Sequence, residues 1–326
     1  MKRSLRVLIT GVGSTTAICV IKGLKKQQEY DVYIVGTDTN EKTSIAGSNF
    51  CDSFYKVPPA NHANSYLSAI QDIIRMESVD LLIPIINSEL ETIARKREPI
   101  EKLTYLLLSS YETVMICNDK FKTFKFLEEN GLPTVKTVKV DNIENLKNNF
   151  LKSGITFPLI AKPQKGFGSV DVYEIFSEEE LSLVKRIKNP IIQEKARGQE
   201  YTIDVFCDGE KMIIAVPRKR IETKSGISYK GQTEKDERLI EYAKIVSEKL
   251  HIKGPANIQC FKEGDDIRFT EINPRFSGGL SLTIESGANS PLLALKMAAG
   301  EQLKTTKDFR IVKMCRYWEE VFYSEN

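Results

Sequence analysis

Hydrophobic and polar positions alternate in blocks along the first third of the chain. The apolar run LRVLIT, from Leu5 to Thr10, has the length of a buried strand, and a glycine turn and a stretch with helical spacing follow it. DVYIVGTD, which ends at Asp38, and DLLIPI, at 80–85, repeat the strand pattern. Because strands that alternate with helices form parallel sheets, we predict a doubly wound, Rossmann-like α/β domain over residues 1–116.

The remainder, residues 117–326, has a different pattern. NDKFKTFKFLEENG predicts a helix with Asn118 or Asp119 as its N-cap and Gly131 at its end. FPLIAK, PIIQE and EYTIDVF are typical of strands, and NIQCF and IRFTEIN predict a hairpin with its turn at 264–266. EKDERLIEYAKIVSEKL predicts a core-facing helix, and the tail FRIVKMCRYWEEVF alternates well enough to form a strand. We therefore expect a second domain.

Composition narrows the class of protein. The 326 residues suffice for about two domains, and a net charge of +3 gives no argument for a nucleic-acid partner. The six cysteines lack any short metal-ligand spacing, and His62 and His251 have no partner pattern, so neither a zinc site nor a Ser-His-Asp triad is expected. The apolar run after Lys2 and Arg3 is too short for a signal peptide or a membrane span. We expect a cytoplasmic protein that binds neither nucleic acid nor membrane.

Oxygen ligands concentrate on one face of the predicted hairpin. Side chains alternate along a strand, so Glu271 and Asn273 share a face, and pairing across the short turn brings Gln259 opposite or nearly opposite Glu271. Carboxylate and amide oxygens suit Mg²⁺ when nucleotide phosphates complete its ligand shell. Arg275 follows at once, a planar cation that can hold a carboxylate or phosphate. Taken alone, the pattern also fits an exposed hairpin with solvated charges.

A glycine loop precedes this hairpin in the chain. Lys162 ends the strand FPLIAK, and the loop after it contains Lys165, Gly166, Gly168 and Ser169. Backbone N–H groups in such a loop, with a lysine to offset charge, suit nucleotide phosphates. The Walker A pattern is absent from the sequence, and a plain hairpin with a glycine turn is the alternative structure.

The order of these features resembles the ATP-grasp superfamily, most closely the carbamoyl phosphate synthetase large subunit and biotin carboxylase. The resemblance rests on five motifs, which in chain order are Lys120, Lys162 with the glycine loop, Glu194 to Glu200, Gln259, and E-I-N-P-R from Glu271 to Arg275. It implies a pre-ATP-grasp domain over 1–116 and an ATP-grasp domain over 117–326. Within the second domain it implies a small mobile lid at about 133–192.

The resemblance also implies a role for each residue of the site. Mg²⁺ or Mn²⁺ would be held by Gln259, Glu271 and Asn273, and Arg275 and Lys162 would be catalytic. Glu200 would accept the ribose hydroxyls of ATP, a task that one carboxylate can perform for two donors. The remaining nucleotide-binding residues implied by the resemblance are Lys120, Lys162, Lys165, Gly166, Gly168, Ser169, the hinge Glu194, Lys195 and Ala196, and Gln259.

The implied reaction transfers the ATP γ-phosphoryl group to a carboxylate. An amine, or a thiol, then attacks the acyl phosphate, and ADP and phosphate are released. The expected partners are a small-molecule acid and amine, with a possible homodimer. Two alternatives remain open, namely a nucleotide-binding regulatory or partner subunit without turnover and an NAD-dependent oxidoreductase that uses the N-terminal domain.

The oxidoreductase alternative rests on the first glycine turn. Gly11 and Gly13 could cradle an anion, and Asp38 could accept a ribose hydroxyl, but Thr16 stands where G-x-G-x-x-G requires its third glycine. Glu89, after the strand at 80–85, either faces a substrate or favours the start of a helix.

A basic stretch, PRKRIETKSGISYKGQT, has two possible meanings. Its residues Arg218, Lys219 and Arg220 could form a solvated ribbon. Alternatively, because they lie between the nucleotide and metal motifs, one or two of them could contact a phosphate or an acidic substrate.

Overall fold

The computed structural model describes residues 2–140, 154–166, 168 and 170–324. Its N-terminal part alternates strands with helices, as predicted. In chain order the elements are β1 (Arg3–Ile9), α1 (Thr15–Lys26), β2 (Tyr30–Asp38), β3 (Ser53–Lys56), α2 (Ala63–Glu77), β4 (Leu81–Ile83), α3 (Asn87–Arg95), α4 (Arg97–Glu101), β5 (Tyr105–Leu106) and α5 (Tyr111–Cys117). These strands are parallel, in the order β3-β2-β1-β4-β5, which confirms the doubly wound α/β fold.

Both faces of this parallel sheet are buried. Val7 of β1 belongs to the same core cluster as Val20 of α1, whereas its neighbour Leu8 packs in a second cluster with Ile70 of α2. Helices on both sides explain why the strands are continuous apolar runs rather than alternating ones. The loops at the carboxyl ends of β1 and β4 therefore lie side by side at one edge of the sheet.

The C-terminal part is built on a larger, antiparallel sheet. Its strands are β10 (Gln199–Asp208), β11 (Met212–Lys224), β12 (Ile227–Thr233), β13 (Lys253–Glu263), β14 (Asp266–Asn273) and β15 (Lys313–Cys315), in the order β14-β13-β10-β11-β12-β15. The helices are α6 (Lys120–Glu129), α7 (Glu237–Lys249), α8 (Leu280–Glu285) and α9 (Ser290–Ala298). Among the residues that the structure describes, no helix has the length and apolar character needed to cross a bilayer.

The two parts share one core. Apolar residues of α1, such as Leu24, belong to the same cluster as Ile203 of β10 and Leu295 of α9. Asn289, the N-cap of α9, also donates from Nδ2 to the Gly23 carbonyl oxygen of α1 at 2.9 Å. The loops of the parallel sheet are thereby held against the antiparallel sheet.

A third, smaller sheet lies between these two in the chain. It consists of β6 (Thr137–Lys139), β7 (Leu159–Pro163), β8 (Tyr173–Ile175) and β9 (Pro190–Glu194), in the order β6-β9-β7-β8. It has its own core cluster, which includes Leu159, Ile175 and Val184. This sheet occupies the region predicted as a lid, of which residues 141–153, 167 and 169 lie outside the described part of the chain.

The predicted hairpin forms with the predicted register. In the β13–β14 pair, Gln259 lies opposite Glu271 and Asn257 lies opposite Asn273. The turn between them contains Gly264 at φ +57°, a left-handed conformation that glycine adopts without steric cost. The face shared by these polar side chains is therefore fixed by local strand geometry.

The C-terminal tail forms less strand than predicted. Within FRIVKMCRYWEEVF, which lies in the described part, only Lys313–Cys315 pairs, with β12 at the sheet edge. Trp318 and Phe322 further along are 82% and 89% exposed. An alternating sequence gains little from strand pairing where no second layer covers its apolar face. The tail is instead tied to the N-terminal part, where the Tyr323 and Ser48 hydroxyl oxygens lie 2.7 Å apart.

Candidate functional site

A cavity of about 790 Å³ lies among the three sheets. The N-terminal part contributes Ser14, Thr16, Ile85, Ile86 and Asn87 to its wall. The predicted site residues that line it are Lys120, Lys162, Gly166, Gly168, Glu194, Lys195, Ala196, Glu200, Gln259, Glu271, Asn273 and Arg275. Motifs spread over more than 150 positions of sequence are thus brought together around one space.

The hairpin supplies a set of oxygen atoms to this cavity. Asn273 is 3% exposed, and its Nδ2 donates to Glu271 Oε1 at 3.3 Å and to Asn257 Oδ1 at 3.4 Å. Gln259 and Glu271 are half-buried and directly paired. One carboxylate with amide oxygens fits a hard cation that takes its other ligands from phosphates. In the described ranges no group of three or more His, Cys, Asp or Glu side chains could hold a metal.

Asn257 is a site residue that the sequence analysis missed. It lies two positions before Gln259 on β13, so the alternation that placed Gln259 on the polar face applies to it equally. Its Nδ2 donates to the Arg275 carbonyl oxygen at 3.1 Å, which holds the chain just beyond β14 against β13.

Two lysines bring positive charge to the same cavity. Lys120 is 9% exposed, and its Nζ donates to the Gly166 carbonyl oxygen at 2.7 Å. Burial lowers the pKa of Lys162 to about 8, Glu271 opposes this shift, and the charge of Lys120 adds to it. An anion bound beside Lys162 would stabilise its charged form. This half of the cavity is therefore suited to phosphate oxygens.

The structure does not bring Lys165 into the site. Its side chain is half exposed, and Nζ lies 3.0 Å from Glu91 Oε2 of α3, outside the cavity wall. The opposite charge of Glu91 explains this orientation. Ser169, the other side chain predicted from this loop, lies outside the described residues.

The predicted adenine hinge is already bonded in part. The Glu194 N–H donates to the Lys136 carbonyl oxygen at 3.1 Å, and the Lys195 N–H donates to the Pro158 carbonyl oxygen at 3.2 Å. Both bonds arise because β9 lies between β6 and β7, with a partner on each side. A purine base would therefore find these two N–H groups occupied, and Ala196 follows them at the cavity wall.

Glu200 is held at the cavity wall by a neighbouring arginine. Its Oε1 accepts from Arg220 Nη1 at 2.6 Å, and Arg220 Nη2 donates to the Gly226 carbonyl oxygen at 2.7 Å. Burial raises the pKa of Glu200, and the positive charge of Arg220 opposes that shift. Arg220 is 9% exposed, so the solvated-ribbon interpretation is wrong for this residue.

Arg218 is buried more deeply still, at 1% exposure. Its Nε and Nη2 donate to the two carboxylate oxygens of Asp204, each at 2.8 Å, and Nη2 also donates to Ser277 Oγ at 2.8 Å. The sequence analysis missed Asp204. A signal was present, because Glu200, Thr202 and Asp204 are polar at alternate positions of EYTIDVF and so share one face.

Arg275 is anchored by a residue of the N-terminal part. Its Nε donates to Asn87 Oδ1 at 2.5 Å, and its Nη1 donates to the Phe276 carbonyl oxygen at 2.7 Å. Burial lowers the pKa of Arg275 from its ordinary value. Asn87 was not predicted, although it follows the loop after a buried parallel strand, where ligand-binding loops of doubly wound folds lie.

The first glycine turn is not arranged as a dinucleotide site. Asp38 is 7% exposed, with Oδ2 accepting from the Gly13 N–H at 2.8 Å and Oδ1 from the Asn40 N–H at 3.0 Å. Its carboxylate therefore fixes the turn instead of facing a ribose. A Cβ on Gly11, whose φ is +59°, would lie 2.3 Å from Ile86, so this glycine permits close approach of the two loops.

Glu89 serves the start of α3 and not the cavity. It is 6% exposed and accepts from Thr10 Oγ1 at 2.6 Å and from the Ile86 N–H at 3.4 Å. Burial raises the pKa of Glu89 to about 7. The helix-start interpretation is therefore confirmed, and Glu89 ties α3 to the end of β1.

Two family models match separate parts of the sequence. Residues 7–107 match the model described as "PylC-like, N-terminal domain", and residues 186–318 match "ATP-grasp in the biosynthetic pathway with Ter operon". The chain is 23% identical over 314 residues to a carbamoyl phosphate synthase large chain from Clostridium acetobutylicum, covering 90% of this chain and 28% of that protein. It thus spans less than a third of the length of that relative.

Solved structures support the same fold. The biotin carboxylase domain dimer of Hydrogenobacter thermophilus 2-oxoglutarate carboxylase, in complex with MgADP, ADP and bicarbonate, has a TM-score of 0.73 at 18% identity and covers 94% of this chain and 72% of that one. An ADP complex of N5-carboxyaminoimidazole ribonucleotide synthetase has a TM-score of 0.74 at 17% identity, covering 94% and 80%. The resemblance predicted from five motifs is confirmed at the level of fold.

Proposed function

We propose that this chain, which matches an ATP-grasp model over residues 186–318 and a PylC-like N-terminal model over residues 7–107, is an ATP-dependent carboxylate–amine ligase. One observation carries the proposal. Glu271 and Asn273, the two lysines Lys120 and Lys162, and the half-buried Arg275 line a single cavity. Metal ligands, phosphate contacts and a carboxylate contact are the groups that acyl phosphate formation requires.

The cavity fits a nucleotide in size and in charge. Its volume of about 790 Å³ lies in the usual range of ligand sites, roughly 300–1,000 Å³. Lys120 and Lys162 would contact the phosphates, and Glu200, already oriented by Arg220, would accept the ribose hydroxyls. With the Glu194 and Lys195 N–H groups bonded within the sheet, adenine would bond the hinge through carbonyl oxygens or the Ala196 N–H.

The donor set of the hairpin fits Mg²⁺ or Mn²⁺. Gln259, Glu271 and Asn273 offer three oxygen-bearing side chains on one face, which is a usual protein contribution when phosphates complete the shell. When bound, the metal would offset negative charge on the phosphates. Lys162 would do the same from the small sheet, because a nearby phosphate restores the charge that burial disfavours.

Arg275 would hold the acceptor acid. Of the five N–H donors of a guanidinium, its contacts to Asn87 and Phe276 use one on Nε and one on Nη1, so Nη2 can still bond a carboxylate. The acid oxygen attacks the γ-phosphorus, ADP leaves, and an acyl phosphate forms. The amine nitrogen then attacks the acyl carbon, and inorganic phosphate leaves. Fixing the acid beside the hairpin supplies the proximity that this transfer needs.

The proposal is tested by assaying ADP release with MgATP across a panel of amino acids and other small acids and amines. Hydroxylamine should trap the acyl phosphate of the accepted acid as a hydroxamate. Arg275→Lys keeps the charge but loses the planar fork, so turnover should fall by about 10²-fold or more while ATP binding persists. Arg268→Lys, on the same strand and paired with Asp266 at the surface, should keep full activity.

Binding is measured separately by thermal denaturation. At a hundredfold excess over its dissociation constant, MgATP should stabilise the chain by about 2.7 kcal/mol, and EDTA should abolish the effect. Stabilisation without ADP release for any acid would favour a nucleotide-binding subunit without turnover. No stabilisation at all would refute the nucleotide site itself.

The proposed setting is a cytoplasmic enzyme that acts on small molecules. The biotin carboxylase neighbour is described as a dimer, and self-association of this chain is a proposal that sedimentation would test. Acid and amine identity is expected to follow from the screen of ADP release.

A further inference from the structure

A chain of directed hydrogen bonds joins Arg275 to Glu271 through two asparagine amides. Arg275 Nε donates to Asn87 Oδ1 at 2.5 Å, and Asn87 Nδ2 donates to Asn273 Oδ1 at 3.2 Å. Asn273 Nδ2 then donates to Glu271 Oε1 at 3.3 Å. Of these four residues, Asn87 comes from α3 of the N-terminal part, whereas the other three belong to β14 and the segment after it.

The guanidinium of Arg275 and the carboxylate of Glu271, at the two ends of this series, determine the direction of each hydrogen bond between them. A guanidinium can only donate, so Asn87 must turn its oxygen towards Arg275 and its NH₂ group towards Asn273. An ionised carboxylate can only accept, so Asn273 must turn its NH₂ group towards Glu271. The Asn273 oxygen is thereby turned towards Asn87, from which it accepts one hydrogen bond. Its second lone pair remains for a cation.

Asn87 is itself held firmly. It is the first residue of α3, directly after the loop from β4, and Asn118 Nδ2 donates to its carbonyl oxygen at 3.2 Å. The neighbouring Glu89 secures the same helix start by accepting from the Ile86 N–H. A side chain on such a fixed backbone can hold two partners in place at once.

We propose that Asn87 is a positioning residue for both halves of the reaction centre. It orients the amide of Asn273 towards the metal and the guanidinium of Arg275 towards the acceptor acid. This inference rests on the function proposed above. It assigns to the N-terminal domain a direct part in metal binding, because the amide that presents the metal ligand is fixed from that domain.

The test measures metal affinity without turnover. Mn²⁺ is titrated by electron paramagnetic resonance into the full chain saturated with a non-hydrolysable ATP analogue. Asn87→Leu keeps the size of the side chain and removes both hydrogen bonds. Because loss of a partner that orients a metal ligand usually costs 10- to 100-fold in affinity, we expect Mn²⁺ to bind about tenfold more weakly or worse. The affinity of the analogue measured without metal should change little.

A matched control comes from a second asparagine that joins the two parts. Asn289 Nδ2 donates to the Gly23 carbonyl oxygen and its Oδ1 accepts from the Leu292 N–H, and Asn289 does not line the cavity. Asn289→Leu should lower thermal stability and leave Mn²⁺ affinity as in the wild type. If Asn87→Leu does not fold, Asn87→Ala carries the same test, since water can fill the space beside the cavity.

The outcomes separate this inference from the function on which it rests. Weaker Mn²⁺ binding in Asn87→Leu with unchanged binding in Asn289→Leu supports the positioning role. Equal affinity in the wild type and in Asn87→Leu, or equal losses in both variants, overturns it and leaves the proposed function standing. Absence of Mn²⁺ binding in the wild type overturns the proposed function and this inference with it.

Discussion

The two halves of the cavity are built in different ways. In the half formed by β13 and β14, Asn257 and Asn273 are at most 3% exposed, and Asn273 donates to both Asn257 and Glu271. In the half formed by the small sheet, a Cβ on Gly168 would meet nothing within 4 Å, and Lys165 pairs with Glu91 at the surface. In the first half, the polar side chains are closely packed and hydrogen-bonded in a defined direction. In the second half, the described residues of the glycine loop make few such contacts.

This difference matches the tasks proposed for the two halves. In the proposed reaction, charge would develop near the metal and the acceptor acid, where preformed and dry dipoles act most strongly. A loop that covers the phosphates, as proposed for the glycine loop, would instead have to admit and release the nucleotide, which favours a segment with few side-chain anchors. The contacts that this loop makes, such as Lys120 Nζ to the Gly166 carbonyl oxygen, can be exchanged for phosphate oxygens.

The largest effect is expected for the buried ion pair of Arg218 and Asp204. Arg218→Met removes the partner of Asp204 and leaves a buried carboxylate unpaired, so the free energy of unfolding should fall by about 3–5 kcal/mol. Chemical denaturation measures the change. Lys219→Met changes the next position on the same strand, on its other face. This variant should lower the free energy of unfolding far less. Similar losses in the two variants would show that close packing does not distinguish this half.

The next effect concerns two adjacent glycines with different surroundings. A Cβ on Gly279 would lie 2.0 Å from Arg218 Nη1, whereas a Cβ on Gly278 would make an ordinary contact of 3.4 Å with Ile227. Neither residue has a positive φ that would add strain. Gly279→Ala should therefore cost about 1–3 kcal/mol in unfolding free energy, as overpacking does, and Gly278→Ala should cost much less. A reversed order in urea denaturation would contradict the packing around Arg218.

A smaller effect is expected from pH at Lys162. Burial lowers its pKa to about 8, Glu271 opposes the shift, and Lys120 adds to it, so the free chain loses this charge as pH rises through about 8. Nucleotide affinity should then fall by up to about tenfold, or 1.4 kcal/mol, per pH unit above 8. Calorimetry between pH 7 and 9.5 measures this slope, which Lys162→Met should flatten. A slope that survives in Lys162→Met would assign the titration to another group.

The same residue has the opposite effect on folding. Between about pH 8 and 10.5 the unfolded chain binds a proton at Lys162 that the folded chain does not, so this contribution to the free energy of unfolding rises with pH in that window. Denaturation of the wild type and of Lys162→Met across the window separates this contribution from the rest of the chain.

The smallest effect is expected at Lys165. Its pair with Glu91 is half exposed, so Lys165→Met should change the free energy of unfolding by less than about 0.5 kcal/mol. Unlike Lys162→Met, it should preserve the pH dependence of nucleotide affinity. A loss of nucleotide affinity in Lys165→Met would indicate that this side chain leaves Glu91 for a phosphate when the nucleotide binds.

Several elements of the site could be predicted because their geometry is local. The two-residue repeat of a strand places Glu271 and Asn273 on one face, and a short turn fixes Gln259 opposite Glu271. The N-cap of α6 was predicted as Asn118 or Asp119. Asp119 is the N-cap, and its side chain accepts from the N–H groups of the first turn. Each of these depends on residues fewer than about 15 positions apart.

Other features required strand order and domain packing. Glu200 and Arg220 are 20 positions apart, and Asn87 and Arg275 are 188 apart. The roles of Arg218 and Arg220 therefore stayed open at the level of sequence, and Asn87 was not predicted. Lys165 was assigned to the phosphates because its loop is basic and rich in glycine, and the carboxylate of Glu91, distant in sequence, was not part of that pattern.

The sequence by itself determined the parallel and antiparallel elements, the polar face of the hairpin and the order of the ATP-grasp motifs, since periodicity and turn chemistry act over a few residues. Tertiary structure alone decided which charges are paired. Whether an arginine is solvated, buried against a carboxylate or aimed at a substrate depends on the partners that packing brings near it. Arg218, Arg220 and Arg275 differ in this respect because of Asp204, Glu200 and Asn87, each contributed by another part of the fold.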